Sequence, residues 1–254
     1  MKVEKYMVDG IRKKGGLLFT LIDPVDYKKP DDAIMVGEAS CNGGADVILV
    51  GGSIGAQGEL LDYVTKGIKE KTNVPIVLFP GNVGTITRYA DALYFMSLLN
   101  SRNPYWISGA QTLSSFIIKK IGIEPLPVGY VLVEPGGTAG WVGDVNLVPR
   151  DKPQIAAALA LGGQYAGNRF IITDAGSGPK EGHIPIEMIR EVASAIDVPY
   201  IVAGGVKTPE QARNIIRAGG DAIQVGTALQ ESRKVEKTVR EMAKAIHEEG
   251  RKKV

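Results

Sequence analysis

Eight short apolar runs, rich in β-branched residues and each closed by Gly, Pro, Asp or Ser, constrain the fold of this chain more than any other feature. They read Leu17–Ile22, Val47–Val50, Ile76–Phe79, Ala92–Met96, Val128–Val133, Phe170–Thr173, Tyr200–Ala203 and Ala222–Val225. Their nearly continuous apolar character is that of parallel strands buried on both faces. Between most of them lie amphipathic stretches of helix length: Pro30–Asn42, Gly58–Lys71, Ser108–Ile121, Gln154–Gly163, Ile186–Ile196, Pro209–Arg217 and Val235–Glu248. Thr208 followed by Pro209 is an N-cap with proline at the first helical position. Eight such units in 254 residues predict an α/β chain folded as a (β/α)8 TIM barrel, a single domain over residues 1–254. One unit is incomplete. Pro80–Asp91 opens with Pro-Gly-Asn turn chemistry and leaves room for barely two helical turns, so the third helix is expected to be missing or replaced by a loop, a short helix being the alternative.

Charge and cysteine usage exclude several classes of function. A formal charge of +2 gives no global field to select nucleic acid or an anionic membrane. The lone Cys41 allows no internal disulfide, and no Cys/His spacing suits zinc. Met1–Lys5 lacks a signal-peptide core, and no apolar run is long enough for a transmembrane segment, so a soluble cytoplasmic protein is expected. The 32 glycines are nearly double the usual share of about 7%, and they cluster after strands.

Barrel chemistry sits at strand C-termini, and phosphate often binds after strands seven and eight. Those loops read Ala203-Gly204-Gly205-Val206 and Val225-Gly226-Thr227-Ala228, and Asp174-Ala175-Gly176-Ser177-Gly178 follows strand six. Clustered glycines let backbone amides approach phosphate oxygens, so a phosphate site is expected there. Across the rim, Asp23 ends strand one and Ser53 follows strand two. A carboxylate beside a hydroxyl suits Mg²⁺, which shares its remaining positions with substrate phosphates; a turn or cap role is the plain alternative for Asp23. Two facing anionic sites imply transfer between two phosphorylated substrates. No strand carries a Schiff-base lysine. Of the two histidines, His183 lies past a flexible loop and His247 sits in the polar last helix, where it is expected to be solvated. Catalysis is therefore expected to rest on carboxylates, metal and electrostatics.

The motifs Leu21-Ile22-Asp23-Pro24, Gly51-Gly52-Ser53, Phe79-Pro80-Gly81, Ser97-Leu98-Leu99-Asn100-Ser101-Arg102-Asn103-Pro104, Glu134-Pro135-Gly136-Gly137-Thr138, Ala175-Gly176-Ser177-Gly178 and Ala203-Gly204-Gly205-Val206 follow one another in an order that resembles the geranylgeranylglyceryl phosphate synthases, archaeal branch. The resemblance implies a modified TIM barrel joining sn-glycerol 1-phosphate to geranylgeranyl diphosphate, with loss of diphosphate and use of Mg²⁺. It implies that Asp23 and Ser53 hold Mg²⁺, and that Gly204, Gly205, Gly226 and Thr227 hold the acceptor phosphate. It further implies that Ile172, Thr173, Asp174, Ala175, Gly176, Ser177 and Gly178 contact the acceptor, with Asp174 as base and Glu134 the alternative. The chain departs from the family's Tyr-Leu-Glu at Ile172-Thr173-Asp174. The shorter carboxylate loses reach, and Tyr130, at the start of strand five, is a candidate to replace the lost phenol. An unperturbed Asp would already be ionised at neutral pH and serve as a weak base.

The prenyl tail needs an apolar groove leading from the metal, which a missing third helix would open beside strands two to four. Val83 and Ile86 are expected to line it, with Tyr105 and Trp106 limiting its depth. A homo-oligomer, dimer or hexamer, is expected, with Trp141 as an interface anchor or as ordinary packing. The rivals are a prenyl donor of another length, a phosphate-binding barrel isomerase or lyase, and a non-enzymatic binding role.

Overall fold

In the computed structural model, which describes residues 2–254, the eight runs form one closed parallel barrel. Each strand pairs with the next in chain order, and the eighth pairs with the first. The strands are β1 (Leu17–Ile22), β2 (Val47–Gly52), β3 (Ile76–Pro80), β4 (Ala92–Leu98), β5 (Glu124–Leu132), β6 (Phe170–Asp174), β7 (Tyr200–Ala203) and β8 (Ala222–Val225). Differences from the sequence reading lie at the ends. β5 starts at Glu124, before two prolines that masked it, and the Glu124 N–H donates to Asp91 O. Tyr130 is therefore late in the strand rather than at its start. β6 runs on to Asp174, so that carboxylate is held by strand backbone.

Side chains alternate along each strand. Phe19, Leu49, Val77, Tyr94, Val128, Phe170 and Ile172 fill the barrel interior, while Leu18, Val131, Ile171 and Val202 face the surrounding helices. Burying each of these contributes about 1.5–3 kcal/mol before entropy is counted. The shell consists of α2 (Pro30–Gly43), α3 (Gly58–Lys71), α4 (Ala110–Ile121), α6 (Pro153–Tyr165), α7 (Ile186–Ala195), α8 (Pro209–Arg217) and α10 (Val235–Gly250), with α5 (Gly137–Val142) and α9 (Thr227–Gln230) as short helices at the mouth. A π-helical turn, Tyr105–Gly109, precedes α4, so the expected start at Ser108 falls inside that turn. Thr208 caps α8 through a reciprocal box with Gln211. The unanticipated α1 (Val3–Lys14) plugs the bottom of the barrel with Val3 and Met7, both fully buried. Its first amides are satisfied by the Glu124 carboxylate, 2.6 Å from Val3 N. No helix separates β3 from β4. Pro80 closes β3, and residues 81–91 run as turns, bends and irregular backbone, as expected.

The structure corrects one expectation at the bottom of the barrel. His247 is not solvated: its Nε2 lies 2.9 Å from Asp46 Oδ2, which also accepts the Leu18 N–H, and Lys14 reaches Asp46 Oδ1. Burial raises the Asp46 carboxyl, but His247, Lys14 and the Leu18 amide together outweigh it and hold the group below its ordinary value. Among the described residues, no helix is long and apolar enough to cross a membrane.

Candidate active site

The mouth of the barrel holds two adjoining pockets that share Asp174. The larger is an apolar groove running from Asp23 past Phe79, Ile86 and Phe95 to Trp106. It lies where the third helix is absent, beside β2 to β4, and Val83 lines it as expected. Tyr105 does not line it; its ring packs edge-on against Trp106 at 4.8 Å. Phe79 stands edge-on to both Tyr94 and Tyr130, each 5.5 Å away, so the floor of the groove is aromatic.

At the head of the groove, Asp23 and Ser53 line the same wall. Asp23 Oδ1 is enclosed without a hydrogen-bond partner. Burial, with the charges of Asp26 and Asp174, pushes its carboxyl up to about 7. A buried acceptor left without a donor is costly unless something completes it. A divalent cation would do so, with Ser53 supplying a hydroxyl oxygen, so the residues present fit Mg²⁺. No group of three His, Cys, Asp or Glu side chains converges among the described residues.

The smaller pocket is walled by Gly176, Ser177, Gly204, Gly205, Gly226 and Thr227. Gly204 (φ 81°) and Gly205 (φ 74°) are left-handed, a conformation that side chains disfavour. They also carry close packing: a Cβ on Gly204 would stand 2.6 Å from Asp174 Oδ1, and one on Gly205 the same distance from Gly182 C. The loop after β6 reaches the one after β8, since a Gly178 Cβ would contact Thr227. Ile172 lies inside the barrel, fully buried. The Thr173 hydroxyl faces outward and pairs with Tyr200 OH at 2.6 Å, leaving only its backbone to the site. Ala175 packs against the helical shell.

Asp174 is fixed at both oxygens. Oδ1 accepts the Gly176 N–H at 2.7 Å and Oδ2 accepts the Tyr130 O–H at 2.8 Å. Burial raises its carboxyl above the ordinary value, against the lowering effect of those two hydrogen bonds, so it is a stronger base than the sequence reading assumed. Tyr130, its phenol raised far above 10 by burial and the neighbouring carboxylates, stays protonated and donates. The register of Tyr130 beside Ile172 is what brings it to Asp174.

Arg150 escaped the sequence reading entirely. Its guanidinium donates to the carbonyls of Glu134, Gly182, Glu181 and His183, at 2.7 Å for the last. It ties the loop after β5 to the loop after β6, and the second of these packs on Gly205. No local motif marks such a residue.

Comparison with known proteins agrees with this geometry. The PcrB family profile matches residues 9–246. The geranylgeranylglyceryl phosphate synthase of Pyrococcus horikoshii is 52% identical over 235 residues, covering 92% of this chain and 91% of that protein. The enzyme of the same name from Methanothermobacter thermautotrophicus is 47% identical over 246 residues, covering 97% and 99%. Among solved structures, the (S)-3-O-geranylgeranylglyceryl phosphate synthase of Thermoplasma acidophilum, in complex with its substrate sn-glycerol-1-phosphate, superposes with a TM-score of 0.93 at 36% identity, covering 98% of this chain and 99% of that one. A thiamine phosphate pyrophosphorylase from Pyrococcus furiosus, at 15% identity and a TM-score of 0.62, shares the barrel alone. With a family profile spanning most of its length and relatives near half identity across it, this chain belongs to the PcrB family.

Proposed function

We propose that this chain is a single-domain geranylgeranylglyceryl phosphate synthase, joining sn-glycerol 1-phosphate to geranylgeranyl diphosphate with release of diphosphate. The observation that carries the reading is the place of Asp174, the one carboxylate common to the apolar groove and the glycine-walled pocket. The groove takes the prenyl tail, whose burial contributes about 0.8 kcal/mol per CH₂. The small pocket takes the acceptor phosphate on backbone amides after β6, β7 and β8.

Asp23 and Ser53 are the residues that would hold Mg²⁺. Held there, such an ion would supply positive charge against a departing diphosphate. Phe79, Tyr94 and Tyr130 surround the donor with aromatic rings, which favour positive charge developing on the allylic carbon. Asp174 accepts the proton of the C3 hydroxyl as its oxygen bonds to that carbon. Holding both substrates in one mouth converts an encounter into a local step. Trp141, 83% exposed on α5, and the bare Leu113 and Phe116 of α4 support a homo-oligomer.

Incubation of the purified protein with both substrates and Mg²⁺ should yield one prenyl ether and one diphosphate per turnover. Asp174→Ala should lower turnover at least a hundredfold while leaving donor affinity within about threefold. Near-normal turnover in that variant would move the base elsewhere, to Glu134 just past the end of β5 as the alternative carboxylate.

A further inference from the structure

Among the polar side chains that line the acceptor pocket, Gln224 is the buried one left idle in the scheme above. Gln224 is the third residue of β8, with its Cα in register with Phe19 of β1 and Ala203 of β7. It therefore points into the barrel, between apolar neighbours on both adjacent strands. The residue is only 4% exposed, it lines the pocket beside Asp174, Gly204 and Thr227, and its Oε1 has no hydrogen-bond partner among the described residues. A buried amide left idle costs stability, and an apolar side chain of the same size would fill the place without that cost. The amide is explained if a bound ligand completes it.

The chemistry of the vacancy selects the ligand group. An amide oxygen needs a donor, and the oxygens of a phosphate dianion only accept. A hydroxyl is the group that meets the amide whichever way it is turned, because it both donates and accepts. On the acceptor assigned under Proposed function, on which this inference rests, the C3 hydroxyl surrenders its proton to Asp174. Only the C2 hydroxyl remains, and a secondary alcohol both donates and accepts, as an amide does. We propose that Gln224 binds the C2 hydroxyl of the glycerol phosphate and makes the site selective for an acceptor that carries it.

The test uses the full chain, saturating geranylgeranyl diphosphate, and two acceptors: sn-glycerol 1-phosphate and 3-hydroxypropyl phosphate, which lacks only the C2 hydroxyl. The wild type should prefer the first by roughly tenfold in kcat/KM, the worth of a hydrogen bond whose loss strands a buried amide. Gln224→Met should lose about that factor on sn-glycerol 1-phosphate and nothing on 3-hydroxypropyl phosphate, so the preference collapses. Its affinity for inorganic phosphate, read by calorimetry, should match the wild type, and its melting temperature should not fall. Should that variant not fold, Gln224→Leu is read the same way. A preference that survives the substitution overturns the proposal. Equal losses on both acceptors, or a parallel loss of phosphate affinity, overturn it in favour of a structural role. No wild-type turnover with sn-glycerol 1-phosphate overturns the acceptor assignment and this inference with it.

Discussion

Tyr130→Phe isolates one hydrogen bond at the reacting centre. The substitution removes a single oxygen from a ring fully enclosed among Phe79, Leu132 and Ile172, so packing is kept and the edge contact with Phe79 survives. What is lost is the donor 2.8 Å from Asp174 Oδ2. Hydrogen bonds to charged groups are worth about 1.5–3 kcal/mol, which at about 1.36 kcal/mol per decade is roughly 10- to 150-fold in rate if Asp174 must be ionised and oriented to act. The sign of the pH effect follows from the same bond. The phenol stabilises the ionised carboxylate and lowers its pKa, while burial raises it. Without the phenol the pKa rises further, the base form is populated only at higher pH, and the acid limb of kcat/KM moves to higher pH. The assay is diphosphate release between about pH 5 and 9, with donor KM measured alongside. Turnover within about twofold of wild type, with the acid limb unmoved, would refute the idea that Tyr130 sets the state of Asp174.

Asp23→Asn should abolish activity and Mg²⁺ binding without lowering the melting temperature at pH 8, because the native carboxylate there is buried without a partner; a clear fall in melting temperature would show that Asp23 is already compensated within the protein. Trp106→Ala should shift preference toward donors longer than geranylgeranyl, since its ring lines the groove; unchanged donor preference would reject Trp106 as the stop. Asp46→Asn should cost about 2 kcal/mol or more in urea unfolding at pH 7, breaking a buried charge cluster. Because folding lowers the Asp46 pKa, its stabilisation is complete above the unfolded value of about 3.9 and disappears as pH falls through the folded one. The difference between variant and wild type should thus shrink below pH 4, and a difference constant down to pH 3 would exclude the ionised pair as its source.

The barrel was legible because strands buried on both faces announce themselves as apolar runs, and the absent third helix was legible because Pro80-Gly81-Asn82 leaves too few residues to build one. Features that depend on register across strands were not legible. Gln224 looks like an ordinary member of its run until β7 is laid beside it, and Tyr130, a candidate phenol in the sequence, becomes the donor to Asp174 only once β6 is beside it. The bottom cluster was missed because His247 and Asp46 are two hundred residues apart in the chain, and α1 because its buried face is only Val3 and Met7. The Ser97–Pro104 motif, the strongest marker of resemblance, turns out to be largely architectural. The Asn100 side chain donates to Leu132 O and Asn146 O and accepts from Leu132 N, Ser101 Oγ donates to Gly143 O, and Arg102 pairs with Asp144. It pins the end of β5, and of its residues only Leu98 reaches the groove.

The loops around the acceptor pocket interlock like stacked tiles. A Cβ on Gly176 would strike Gly136, one on Gly204 would strike Asp174 and Ala175, and one on Gly205 would strike Gly182 and His183, while Arg150 laces the outer edge. Residues that share partners in this way do not contribute independently. The mutational landscape of this half of the site is therefore rugged: few single changes of acceptor loop are tolerated, and the useful ones come in coupled pairs. The donor groove is interlocked at its head, where a Cβ on Gly81 would strike Gly52 and Ser53, but Val83 and Ile86 of its wall lie on a loop with no helix behind it. Divergence in a chain like this one is channelled toward new tails before new heads.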